Sequence, residues 1–306
     1  MTGLARIYAQ LHLKTICFIH FYSGYRRDGD LQHHIDNHII QGHFHIFCVS
    51  VDFCLQGATG DLATGRSRTF WTDKIKNGAI CGVGGGPPCE TYTAARLLAG
   101  GPPPVRSFDE PNGLPSNSAR QWRQTQLGTI LMQFLIEMTF WCAVTGGCSF
   151  LEHPAFPVWA CDQRPASTWA SPAMRWMKKL HCTSFVTFDQ CIFHCPGLKP
   201  TTLMLVRLPW LRASIQRLGH GGRCPHPKGF HVALKGRDSE GHFRTAVAKI
   251  YPVAMNSAIA EAVVRFVQQT FFTTVPPSQA MDEDLSDLGQ MDFVSKSVVQ
   301  PDCYLD

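Results

Sequence analysis

The chain is short of several things that would each have fixed a class. None of its 306 residues falls in an apolar run of the ~18–20 positions a membrane helix needs, so no membrane partner is expected. Residues 1–14 show neither the apolar core nor the small-residue cleavage site of a secretory signal. No CxxC pair occurs, which removes the usual sequence sign of a zinc module or a dithiol redox centre. There is no internal repeat. Charged residues make up only 17%.

What is present is a body rich enough in apolar residues, 44%, for one α/β domain with a sizeable core. The thirteen cysteines are odd in number and fall mostly inside apolar patterns, as at Cys17, Cys48, Cys81 and Cys142. They read as reduced core residues of an intracellular protein, nuclear or cytoplasmic. The net charge of +5 is unevenly spread: residues 281–306 hold seven acids against the single cation Lys296, a balance of −6 that leaves +11 on the rest. A basic body suits a polyanion, although surface cations often do no more than solvate.

Periodicity gives the organisation. Apolar runs at residues 15–21, 45–51, 78–83, 148–151, 185–188 and 199–206 read as strands. Helical spacing recurs over residues 118–144, with Leu127, Ile130, Leu131, Phe134, Leu135, Met138 and Trp141 on the repeat. Shorter helices are expected at 69–77, at 172–180 behind the cap Ser171, and at 256–269. Alternating strands and helices predict a mostly parallel sheet flanked by helices. Residues 1–273 then form the α/β domain, with a small basic loop or ribbon at about 209–249. Residues 274–306 form an acidic tail without pattern, expected to be disordered. Residues 100–115 are rich in glycine and proline and read as a mobile loop able to close over a substrate.

Chemistry gathers at the strand ends. The strand at 78–83 runs into Gly84-Gly85-Gly86-Pro87-Pro88-Cys89-Glu90-Thr91. Two prolines stiffen the backbone ahead of a cysteine at the carboxyl edge of a sheet, where α/β proteins bind ligands. The first strand ends in Phe21-Tyr22-Ser23-Gly24, the second in Asp52, and the fourth in Leu151-Glu152-His153-Pro154. An acid after the second strand commonly accepts from ribose hydroxyls.

This set, in this order, resembles the cytosine-C5 DNA methyltransferases, whose nucleophile sits in a Pro-Pro-Cys turn. The resemblance covers roughly the first half of the chain and implies a Rossmann-like, S-adenosylmethionine (SAM)-dependent methyltransferase fold. It makes Cys89 the nucleophile, attacking C6 of a flipped cytosine, and Glu152 the acid at N3 of the base. A thiolate needs a lowered pKa, expected here from a helix starting near Thr91 and from Arg96. SAM would be held by Phe21, Ser23, Gly24, Asp52, Asp61 and Pro87. Arg96, Lys199, Arg223 and Lys228 would face the nucleic acid, DNA before RNA.

The likeness fails in places. Glu152 is followed by His-Pro where the family has Asn-Val. Lys199 stands where an arginine is usual. The recognition region shrinks to residues 209–249, with Arg212, Arg217, Arg223, Lys228, Lys235, Arg237 and Arg244, so weak sequence preference is expected unless a partner chain supplies target recognition. Two other readings stand: a non-catalytic relative that binds nucleic acid, and a cysteine-dependent Rossmann-type oxidoreductase. Against the latter, the second glycine of a strict dinucleotide fingerprint is missing. No metal is expected, though Cys191, Cys195, Cys224 and His226 are spaced to be considered for zinc.

Overall fold

A computed structural model describes residues 15–38, 45–234, 236, 239–241 and 244–271. The acidic tail, and Lys235 and Arg237 of the basic segment, lie outside the described residues.

The six strands are β1 (Thr15–Phe21), β2 (His45–Val51), β3 (Gly82–Gly85), β4 (Cys148–Pro154), β5 (Thr183–Asp189) and β6 (Pro200–Val206). They form one sheet in the order β2-β1-β3-β4-β6-β5. β1 pairs parallel with β2 and with β3, and β3 pairs parallel with β4. β6 runs antiparallel to both β4 and β5, so the sheet is mixed, with β6 as its reversed strand. The strand ends at Phe21, Val51, Gly85 and Pro154 therefore share one edge.

Both faces are covered, so the central strands β1, β3 and β6 are largely apolar, while the edge strands β2 and β5 alternate. One face carries Ile16, Phe18, Phe150, Phe188, Leu203 and Leu205 against α1 (Leu31–Asp36), α6 (Pro209–Arg217) and α7 (Val253–Phe271). The other carries Ile19, Phe21, Val83, Leu151, Met204 and Val206 against α3 (Gly65–Lys76), α4 (Ala119–Thr145) and α5 (Pro172–Met177). A short helix, α2 (Phe53–Gln56), follows β2.

α4 begins where the sequence predicts. Ser118 caps it, and Gln121 returns the bond to the Ser118 N–H in a capping box, worth ~1 kcal/mol. It ends at Gly146, left-handed at φ 85. By length and composition α4 passes for a membrane span, contrary to the reading of the sequence, where the polar residues interrupt every run. Its apolarity is used inside this fold: Phe134 meets Phe21 edge-on at 5.1 Å, and Leu135 and Met138 are fully buried.

Two local expectations change. The stretch expected as loop and ribbon opens with the helix α6, because Pro209 sits in its first turn and Leu211 and Ile215 bury one face. The loop at 100–115 is tied down rather than free. Arg106, 4% exposed, donates to Pro111 O, Thr125 O and Thr129 Oγ1 and lies 4.3 Å over the Tyr92 ring. Val105 is buried, and Arg164 holds Asp109 through two bonds.

Candidate active site at the carboxyl edge

The order 2-1-3 places β1 at the point where chain connections diverge to either side, the topological switch where open α/β sheets take ligands. The segments leaving β1 and β3 carry Tyr22–Asp30 and the Pro-Pro-Cys turn.

Glu152 is the best-held group there. It is 5% exposed, and Lys199 Nζ lies 3.2 Å from its Oε1. Gln190 Nε2 donates to the same oxygen at 3.3 Å and to Thr201 Oγ1 at 3.0 Å. On its other side, a Cβ on Gly86 would come within 2.5 Å of both Glu152 Oε2 and the Tyr251 hydroxyl. Only a glycine lets the Pro-Pro-Cys turn lie against the carboxylate.

Cys89, partly exposed, belongs to the same electrostatic group. Burial pushes its thiol up to about 11; Lys199 pulls it down, and Glu152 and Glu90 push it up. This reverses the expected lowering. The helix expected near Thr91 is a four-residue 3-10 turn, Ala94–Leu97, too short to act as a dipole on the sulfur. Arg96 does not serve the thiol either. Its guanidinium donates to Glu90 O at 2.5 Å, to Pro103 O at 2.6 Å and to Gln124, and so clamps the loop. The cation that does the work is Lys199. Burial opposes its charge, but Glu152 and then Cys89 outweigh that and raise its pKa.

The segment leading into α7 closes the site. Lys249 pairs with Glu90 at 2.8 Å, next to Cys89. Tyr251 is buried, its ionisation suppressed first by burial and then by Glu152 and Cys89. Asn256 donates to Gly29 O at 2.9 Å and pins the loop after β1. Gln190 and Tyr251 fall in stretches only loosely similar to later motifs of the family resembled, too weak a signal to assign either one a role. They lie 38 and 99 residues after Glu152 in a chain where only the sheet order and the docking of α7 bring them near. His153 is a buried histidine, not a surface one: it packs edge-on against Tyr92 at 5.2 Å, and burial, then Lys199 and Arg106, lower its pKa to about 3.

The proposed cofactor residues divide. Asp52 Oδ2 accepts from Gly24 N at 3.0 Å and Oδ1 from Cys54 N at 3.0 Å, joining the loops after β1 and β2. Gly24 has φ 68, and nothing stands within 4 Å of where its Cβ would be, so the turn is open on that side. The Ser23 hydroxyl bonds Gly24 O at 3.2 Å. Phe21 is wholly buried in the core, leaving only its backbone at the edge. Pro87 is buried, and Asp61 caps its own turn through Ala63 N at 2.9 Å. An open depression of about 360 Å³ lies on the outer side of β2, lined by Arg26, Gln32, Ser50 and Gln56 among others. Neither Gly24 nor Cys89 lines it. Arg223 and Lys228 are exposed and belong to the loop after α6 that carries Cys224 and His226.

The fold and edge together define an α/β protein with a thiol, a carboxylate and an ammonium grouped at the switch edge of a mixed sheet. No family model matches the chain, and no curated relative matches it. Among solved structures, EhMeth, a methyltransferase of Entamoeba histolytica, aligns with 65% of this chain and 55% of its own length, at 10% identity and a TM-score of 0.33. The chain thus spans little more than half of that structure, and a likeness at this level carries no argument about activity.

Proposed function

We infer that the chain is a SAM-dependent methyltransferase acting on cytosine in nucleic acid through Cys89. The observation that carries this reading is the grouping of Cys89, Glu152 and Lys199 beside the switch point, with the Pro-Pro-Cys turn laid on the Glu152 carboxylate. The sequence order of the strand-end blocks supports it.

The residues present suit SAM. The open side of the turn at Gly24 leaves room for a ligand's polar end, and the Asp52 carboxylate, fixed by two backbone N–H groups, retains lone pairs for ribose hydroxyls. SAM, when bound, supplies an electrophilic methyl group. The chain's own part is to make C5 of cytosine nucleophilic. Cys89 releases its proton to solvent as its sulfur bonds to C6, and the electron pair of the C5–C6 double bond becomes available at C5. Negative charge moves toward N3, where Glu152 and Lys199 share a proton with the ring. The base reaches this group only when extruded from its stack.

A second reading, nucleic-acid binding without turnover, is favoured by the high resting pKa of Cys89. One experiment separates these. Calorimetry of the full chain with SAM, followed by transfer of labelled methyl to cytosine-containing single-stranded DNA, should show binding and transfer. Cys89→Ser should abolish transfer and leave SAM affinity unchanged. Binding with no transfer by the unaltered chain supports the second reading. Absence of SAM binding rejects the methyltransferase reading, and turnover by Cys89→Ser rejects covalent C5 chemistry.

A further inference from the structure

We propose that Cys191, Cys224, His226 and His231 form a four-ligand zinc site that fastens the loop after α6 to the end of β5. The structure gathers these residues from two separate segments, and one donor atom from each lies within 4.8 Å of all the others. The group differs from the one the sequence offered: His231 is included, and Cys195, in the same turn as Cys191, is not.

Two of the donor-to-donor edges already have the length a tetrahedral site requires. Cys224 Sγ lies 3.5 Å from His226 Nδ1 and 3.5 Å from His231 Nε2. Tetrahedral zinc with Zn–S of about 2.3 Å and Zn–N of about 2.05 Å sets the sulfur-to-nitrogen edge at about 3.6 Å. Two thiolates and two neutral imidazoles balance the charge of a divalent ion. They are also a donor set that selects zinc over the hard, oxygen-seeking cations. All four positions are filled by protein, which marks a structural site rather than a catalytic one.

The surroundings position the ligands. Asp189, the last residue of β5, accepts from Cys224 N at 3.0 Å, and its own N–H donates to Gly222 O at 2.9 Å. His226 N donates to Cys224 Sγ at 3.3 Å, as backbone amides do toward metal thiolates. The His226 ring stacks on Phe230 at 4.1 Å, with 2° between the planes, and Phe230 meets His231 edge-on. Phe230 is itself 63% exposed, so the stack orders the imidazoles without forming a core. Regular structure is sparse here. Two isolated bridges, His220 with Arg223 and Gly197 with Val232, are what the described part of this loop contributes to pairing. A small irregular segment with little apolar burial is where a metal replaces a core.

The test uses the full chain, purified without chelators and assayed for metal by mass spectrometry. About one zinc per chain is expected. Reconstitution with cobalt(II) alone should give the visible bands of tetrahedral cobalt together with thiolate-to-cobalt charge transfer. Cys224→Ser and His231→Ala should lose the metal, whereas Cys195→Ser should keep it. His231→Cys, which preserves a ligand, should also keep it and strengthen the charge-transfer band. Chelation should open the loop to trypsin at Arg223 and Lys228. A chain that purifies without zinc and takes up no cobalt overturns the proposal, as does full zinc content in Cys224→Ser. None of these readouts depends on methyl transfer, so their failure is separate from failure of the functional reading.

Discussion

Lys199 Nζ sits 3.2 Å from Glu152 Oε1 and is also the cation that lowers the pKa of the Cys89 thiol. One ammonium therefore serves both the Glu152 carboxyl group and the anion that appears when Cys89 loses its proton. Its charge is kept because Glu152 and Cys89 together outweigh the cost of burial.

The first prediction follows from that sharing. Cys89 rests as a thiol up to about pH 11, so its alkylation by iodoacetamide should rise about tenfold per pH unit through the neutral range without levelling off near the usual thiol value. Removing the cation in Lys199→Met should slow labelling at fixed pH. Removing the neighbouring charge in Glu152→Gln should speed it. Peptide mapping separates Cys89 from the other cysteines. A plateau near the ordinary thiol value of 9.0 would show that the thiol is not suppressed.

Two buried histidines set an acid limit on stability. Burial, ahead of all charges, lowers His20 to about 4 and His153 to about 3, against the usual 6.5. Above 6.5 both folded and unfolded states are neutral, and the groups cost nothing. As pH falls below 6.5 the unfolded chain binds protons that the folded one refuses, and stability drops until pH reaches the folded values. The slope is at most ~1.4 kcal/mol per pH unit for each histidine. Urea unfolding between about pH 7.5 and about pH 5 should show this decline, and His153→Leu should flatten it. An unchanged slope in that variant would mean that His153 is not held neutral.

Phe134 joins α4 to the sheet. It is 1% exposed and meets Phe21, the last residue of β1, at 5.1 Å. Phe134→Ala should cost about 3–5 kcal/mol, by lost transfer energy and the cavity left behind. Phe134→Leu should recover most of it. Chemical denaturation measures both. A loss below about 1 kcal/mol for alanine would mean that α4 repacks freely against β1.

How much of this was legible in advance can be argued from particular residues. The cap Ser118, the strand ends at Phe21 and Val51, and the shared edge of β1 to β4 all follow from local pattern. A hydrophobic period of 2 or 3.6 and a capping hydroxyl act over a few residues, so the sequence displays them directly. The placement of Cys89 near Glu152 follows too, because consecutive parallel strands put their following turns on one edge.

The sequence by itself determined the apolar strands, the starts of α4 and α5 and the rigid Pro-Pro-Cys turn, since each depends on neighbours along the chain. Only the tertiary structure decided that β6 would run backwards, that Arg106 would tie down the glycine- and proline-rich loop, and that His231 rather than Cys195 would join Cys191 and Cys224. It also decided the state of Cys89. A thiol's ionisation depends on how many atoms exclude water from it and on which charges stand nearby, and two of those charges, Lys199 just before β6 and Glu152 in β4, lie far from Cys89 along the chain. Their distance along the chain hides them from any local pattern, while packing sets them within a few ångströms.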